Sequence, residues 1–341
     1  MTTQPLSALT MLLSRHTRRR EFVTLLGGAA ALSLLQPLAA YAQQSKAPRI
    51  GALVLTDQDG RAFGKALREG LRELGLIEGE NYALELRSAD AKADRLPQLA
   101  QELVRLNVDV IAAIFTPCAL AAKQATREIP IFVIAGDPIG TGLVASLARP
   151  GGNITGLSNM GSEAAGKCVE LFRDMLPSLS RVAVLANPVD PFTRSILERV
   201  QLAGRTTGIE IAPVAMVRAL DEVEAAFAAI AKERAGAVVV QAGIFFQNAI
   251  ADLAIKYRLP SASVLRPFVD AGGLLSYGAD LSHMYRRSAV FVSKILQGTK
   301  PADLPIEQPT KFELVINLKT AKAIGIDVPL FLQQRADEVI E

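Results

Sequence analysis

The chain has 341 residues, half of them hydrophobic, with no tryptophan, two cysteines and two histidines, and its 37 basic and 34 acidic side chains leave a formal charge of +3. Arg15, Arg18, Arg19 and Arg20 with Glu21 account for that excess, since removing residues 1–42 leaves 299 residues with 33 basic and 33 acidic side chains. A neutral chain without a basic run lacks the electrostatic footprint of a nucleic-acid binder, and its length provides for one large or two medium domains with full cores.

The basic stretch is followed by Phe22 and an apolar run, Leu25 to Leu38, ending in small residues at Ala40-Tyr41-Ala42. That order predicts an export leader cut near Ala42, and hence a periplasmic mature protein. Arg19-Arg20-x-Phe22 resembles the twin-arginine motif, but Val23 and Thr24 stand where that motif usually has Leu and Lys, so the general secretory route stays open. Gln36 and Pro37 interrupt the run, which is shorter than the roughly 20 residues of a spanning helix, and no cysteine stands at the cut to take a lipid.

Beyond a polar tether, Gln43 to Lys46, short β-rich runs alternate with amphipathic helices. Strands are predicted at 49–55, 81–86, 108–115 and 129–134, with helices at about 60–74, 95–106 and 119–127 between them. A second series follows Asn153-Ile154-Thr155-Gly156: helices 164–176, 193–207, 220–234 and 246–257, and strands 181–186, 210–214, 237–240 and 261–264. The tail reads as a strand in 272–278, a helix at 281–296, a turn-rich connector at 301–305, a strand at 312–316 and a helix from Leu318. Two successive βα series mean two parallel sheets flanked by helices and joined by crossovers.

In open parallel sheets ligands sit beyond the carboxyl ends of the strands. The residues there are Thr56, Asp57 and Gln58, then Thr116-Pro117, Asp137, Asn187-Pro188 and Gln241, with Ser158 and Asn159 after the Gly156 junction. Each is also an ordinary turn starter or helix cap. Together they compose a cleft for a small polar ligand held by side-chain hydrogen bonds and helix N-termini. Asp137, between Gly136 and Pro138, either caps a turn or pairs with a ligand ammonium. The glycine-rich tract 139–156, read as a loop with a short helix, does not have the spacing of a dinucleotide fingerprint.

No catalytic or cofactor motif stands out. His283, alone in the mature chain, falls in a helical pattern and reads as a surface histidine. Cys118 and Cys168 read as unpaired core residues, and Cys118 has no histidine to serve it as a base. Neither a metal nor a cofactor is expected.

From Asp137-Pro138 to Gly156, and again at Gly273-Leu274-Leu275-Ser276-Tyr277-Gly278, Lys300 to Pro305 and Gln308 to Asn317, the sequence resembles the ABC-transporter substrate-binding family that includes the tryptophan- and tyrosine-type binding proteins. The resemblance implies a type I periplasmic-binding-protein fold, two α/β lobes joined by three hinge crossovers that close on a ligand. Lobe 1 would be 47–156 plus about 279–302, and lobe 2 would be 157–278 plus about 303–341. It implies a monomer, a small-molecule ligand, and a membrane permease and ATPase as partners. On this reading Thr116 and nearby N–H groups hold a carboxylate, Asp137 an amine, and Asn187, Gln241 and Tyr277 the far side of the ligand. Phe192, Phe245, Phe246 and Tyr277 could wall an aromatic one. A sensory partner of a receptor and an enzyme on the same fold are the rival expectations.

Overall fold

The computed structural model describes residues 47–243 and 246–341; the leader, the Gln43–Lys46 tether and Phe245 lie outside the described residues. In chain order the first half forms β1 (Arg49–Val54), α1 (Asp57–Glu73), β2 (Ala83–Ser88), α2 (Leu96–Arg105), β3 (Val110–Ile114), α3 (Thr116–Ala125), β4 (Ile131–Ala135) and β5 (Ile154–Ser158). There follow α4 (Gly161–Met175), β6 (Arg181–Ala186), α5 (Thr193–Thr207), β7 (Glu210–Met216), α6 (Leu220–Lys232), β8 (Ala237–Val240), α7 (Gln247–Lys256), β9 (Ser261–Ser263), α8 (Arg266–Asp270) and β10 (Leu275–Ala279). The tail is α9 (Leu281–Leu296), β11 (Phe312–Asn317), α10 (Leu318–Ile324), α11 (Leu330–Arg335) and β12 (Glu338–Ile340).

The strands form two sheets. The first is parallel throughout, in the order β2-β1-β3-β4-β5, and the second runs β12-β11-β10-β9-β8-β6-β7. β3, β4 and β5 are buried along their whole length, as strands covered by helices on both faces must be. On one face of the first sheet Phe63, Leu67 and Leu71 of α1 meet Tyr285, Ala289 and Val292 of α9, with the Phe63 and Tyr285 rings edge to face at 5.6 Å. On the other face, Leu99 and Leu103 of α2 and Ala119 and Ala122 of α3 pack on Ile111 and Val133. The second sheet is sandwiched in the same way. Cys168 and Phe172 of α4 and Ile196 and Val200 of α5 share one core with the C-terminal helices, while Phe227 of α6 and Ile250 of α7 build the opposite one.

The second sheet departs from the parallel rule at one pair, since β10 and β11 are antiparallel, with Gly278 opposite Glu313. Residues 139–153 contain turns and no helix, unlike the expected short one. Three helices start about one turn earlier than periodicity predicts. In α1 the Thr56 side chain caps the Asp59 N–H and Asp57 already lies in the first turn; in α3 Pro117 occupies the first turn, where a missing N–H costs nothing.

The chain passes between the sheets three times, at Asn159–Met160, at Asp280 and between Glu307 and Phe312. The first sheet therefore extends through Ser158, two residues past the expected boundary, and Leu304 and Ile306 still belong to cores on that sheet. The first and third passages run side by side: Ser158 N–H donates to the Glu307 carbonyl at 2.8 Å, and Glu307 N–H to the Gly156 carbonyl at 3.0 Å. Arg287 of α9 grips the Glu307 carboxylate through two bonds of 2.9 and 2.7 Å.

Gly156 sits at φ +151°, and a Cβ there would lie 2.0 Å from the Val133 carbonyl oxygen. Gly156→Ala is expected to lower stability by about 2 kcal/mol or more, through strain and overpacking, read as an earlier midpoint in urea with little change of slope.

Candidate functional site

The carboxyl ends of both sheets face one cavity of about 420 Å³. Its wall from the first sheet comprises Leu55, Thr56, Gln58 and Asp59 after β1, Phe115, Thr116 and Pro117 after β3, Gly136 after β4, and Asn159 after β5. The second supplies Asp190 and Phe192 after β6, Ala242 and Gly243 after β8, and Val264 to Pro267 with Asp270 after β9. Asp280, Tyr285 and Glu313, on or beside the passages between the sheets, complete it.

Local chemistry fixes these groups. Thr56 Oγ1 donates to Asp59 Oδ2 at 2.7 Å while accepting the Asp59 N–H at 3.1 Å, so the first turn of α1 presents a tethered carboxylate. Asp190 accepts from the Phe192 N–H at 2.9 Å and from Gln241 Nε2 at 3.0 Å. Gln241 is itself oriented by its Oε1, which accepts the Asn187 N–H at 2.9 Å. Phe115, at the start of α3, holds φ +72° and ψ +158°. That conformation costs a non-glycine residue on the order of 1–3 kcal/mol and recurs at binding sites. The Phe192 ring reaches across from the second sheet to Gly136, where a Cβ would come within 2.3 Å of it.

The electrostatics of the cavity are one-sided. Burial raises the Asp59 pKa, against the opposing Thr56 bonds, and pushes Asp190 up to about 6. Burial, and after it the charges of Asp59 and Asp190, hold the Cys118 thiol well above its ordinary range. Burial, followed by the charge of Asp280, also raises Glu313. Arg266 is the single basic residue on the wall among the described residues, and both its terminal nitrogens are taken by Glu338, at 2.6 and 2.8 Å.

Of the residues proposed from sequence, Thr56, Gln58, Thr116, Pro117, Asn159 and Phe192 lie on this wall; Asp57, Asp137, Ser158, Asn187, Gln241 and Tyr277 lie off it. Asp57 is exposed on the outer side of the first turn of α1. Asp137 takes the turn-capping alternative, its Oδ1 accepting the Gly140 N–H at 2.8 Å. Ser158 and Asn187 likewise close their own turns, onto the N–H groups of Met160 and Val189. Gln241 is buried behind Asp190, and Tyr277 stacks on Phe312 with ring centroids 5.5 Å apart. Phe246 packs into the core on the outer face of the second sheet. Cys118 and Cys168 are both buried and unpaired, and His283 is exposed.

Asp59, Asp190, Arg266, Asp270, Asp280 and Glu313 escaped the sequence reading. Asp190-Pro191 carried the same signal as Asn187-Pro188, three residues further from the strand. Glu313 carried none, because it reaches the carboxyl edge only through the reversed direction of β11. Among the described residues, no three of these or other His, Cys, Asp and Glu side chains are grouped to hold a metal ion.

A family model described as ABC transporter substrate binding protein matches residues 49–340. The chain belongs to that family. Members are solute-binding proteins rather than enzymes, and their type I periplasmic-binding-protein fold is the two-lobed architecture described above, with one sheet to each lobe. A tyrosine-binding protein of Clostridioides difficile (strain R20291) is 25% identical over 265 residues, 77% of this chain and 76% of the relative. A conserved domain protein of Vibrio cholerae, 27% identical, superposes with a TM-score of 0.81 over 86% of this chain and all of that one. An ABC domain from Streptococcus pneumonia in complex with L-Trp, 24% identical, gives 0.78 over 85% of this chain and all of the other, and shares the fold of this substrate-binding protein.

Because the Asp137 carboxylate is spent on Gly140, Asp137→Ala is expected to cost about 1 kcal/mol of stability and leave ligand affinity unchanged. Calorimetric titration beside a urea melt checks both; a loss of affinity without loss of stability would return Asp137 to the site.

Proposed function

We propose that this protein is the exported solute-binding component of an ABC importer, working as a periplasmic monomer after its leader is cut near Ala42, and that its ligand is a small amine-bearing, amino-acid-like solute. The observation that carries the reading is that Asp59 and Asp190, one from each lobe, face one cavity whose apolar wall is made by Leu55, Phe115, Phe192, Leu265 and Tyr285. Two carboxylates in a half-apolar cleft are costly to keep charged; an ammonium between them offsets that cost. The tyrosine and tryptophan in the names of the relatives are ligands of this chemical type.

Thr116, the Cys118 N–H and the first turn of α3 would receive the carboxylate of an amino acid, since helix N-termini favour anions. Asn159 lies at the first passage, where the lobes hinge. Full contact with Asp59 and Asp190 requires both lobes at once, so affinity and closure are linked. A permease with its ATPase would read the closed form and accept the solute.

Thermal-shift and calorimetric screening of the purified protein against amino acids, amines and small carboxylates tests the reading. An amine-bearing solute is expected to raise the Tm, and Asp59→Asn is expected to weaken it about tenfold. A response confined to carboxylates without an amine would sink it.

The acid side gives an independent check. Burial raises Asp190 in the folded protein, so its protonated form favours folding below the unfolded value near 3.8, and that contribution is lost as the pH rises toward about 6. A cationic ligand needs the carboxylate and pulls the other way. Affinity at pH 5 is therefore expected to be about tenfold lower than at pH 7.5. A flat profile across that range would remove Asp190 from the contact.

A further inference from the structure

The cavity carries its carboxylates in two groups. Asp59 follows β1 of the first sheet and Asp190 follows β6 of the second; Asp270, Asp280 and Glu313 stand on the side of β9, β10 and β11. Strand order sets the gap between the groups. Asp190 follows β6 and Asp280 follows β10, with β8 and β9 between them. Three strand spacings to β10 amount to roughly 14 Å, and four to β11, which carries Glu313, to roughly 19 Å. With a hydrogen bond at each end, roughly 8 to 13 Å remains between the donor atoms of a ligand that touches both.

Charge compensation separates the groups from ordinary surface carboxylates. The one guanidinium on the wall is taken by Glu338, which lies outside the wall, with Asp270 a further 3.6 Å from Arg266 Nε. Asp280 caps α9, its Oδ1 accepting the His283 N–H at 3.0 Å, whereas Glu313 has no ion-pair partner within 4 Å among the described residues. A bare divalent ion does not answer this arrangement, because no three of the carboxylates come close enough to share one. What answers it is a molecule that brings positive charge to both ends and runs past the half-apolar wall between them, where Leu265 stands with Gln247 and Asn248.

From the two carboxylate groups at either end of one cavity we infer that the solute is dicationic along its length, a linear diamine or a basic amino acid, rather than a neutral zwitterion. This rests on the reading that the cleft holds the solute. Glu313 then serves as the specificity residue for the distal cation, and Asp59 with Asp190 hold the proximal one.

The test compares cadaverine, lysine and arginine with norleucine and tyrosine, by calorimetric titration of purified protein and of Glu313→Gln, whose Tm should match the parent because the residue makes no ion pair. The expected result is binding of the dications, at least tenfold weaker binding of norleucine than of lysine, and a further tenfold loss for cadaverine in Glu313→Gln. Norleucine or tyrosine binding as tightly as lysine, with Glu313→Gln without effect, would overturn the dicationic assignment and leave amine-solute binding standing. Silence from every probe, neutral and charged alike, would overturn the cleft reading as well.

Discussion

Two backbone hydrogen bonds, Ser158 to Glu307 and Glu307 to Gly156, hold the first and third passages between the sheets as a short parallel ladder. The placement of the cleft depends on them. They set where the first sheet stops and the second begins, and Gly156 lets the ladder approach Val133 so closely that no side chain fits. Arg287 extends the constraint by tying α9, a helix packed on the first sheet, to the same Glu307.

The cleft reverses the logic of those cores. Elsewhere the charges lie in exposed or half-exposed pairs such as Arg181 with Glu210 and Lys256 with Glu224, which contribute little each. In the cleft, carboxylates are set among apolar walls, one beside a residue in a costly backbone conformation at Phe115. On the proposed function, the stability given up there would be recovered on binding the ligand, and closure would follow from recognition. Gln241 shows the care taken in aiming the charge. One amide fixes both the Asp190 carboxylate and the Asn187 backbone, so the loop and its acid move as a unit.

Much of this was legible in the sequence, and the misses have physical causes. Strands 181–186 and 237–240 and helices 193–207 and 281–296 have the limits that periodicity predicts, because their apolar faces are unbroken. β5 was missed because Gly156 breaks its pattern at the point where close packing demands it, and β12 because three residues hold no period. Looking just past the strands leads to Thr56, Gln58, Thr116, Pro117 and Asn159 on the cavity wall. That rule assumes every strand runs the same way, so it does not lead to Glu313. It leads equally to Asp137, Ser158 and Asn187 off the wall, since a side chain that closes its own turn is indistinguishable in sequence from one that faces a cavity.

The order of the passages has a consequence for synthesis. The first sheet is laid down by residue 158, yet the face that α1 shares with α9 stays only partly covered until α9 arrives, more than a hundred residues later. The second sheet in turn waits for β11 and β12, which follow α9. Neither lobe can finish its core from a nascent chain that has not almost reached its end, so loop closure over long separations governs assembly. The two halves must mature together, and a chain cut short near residue 280 would leave both incomplete.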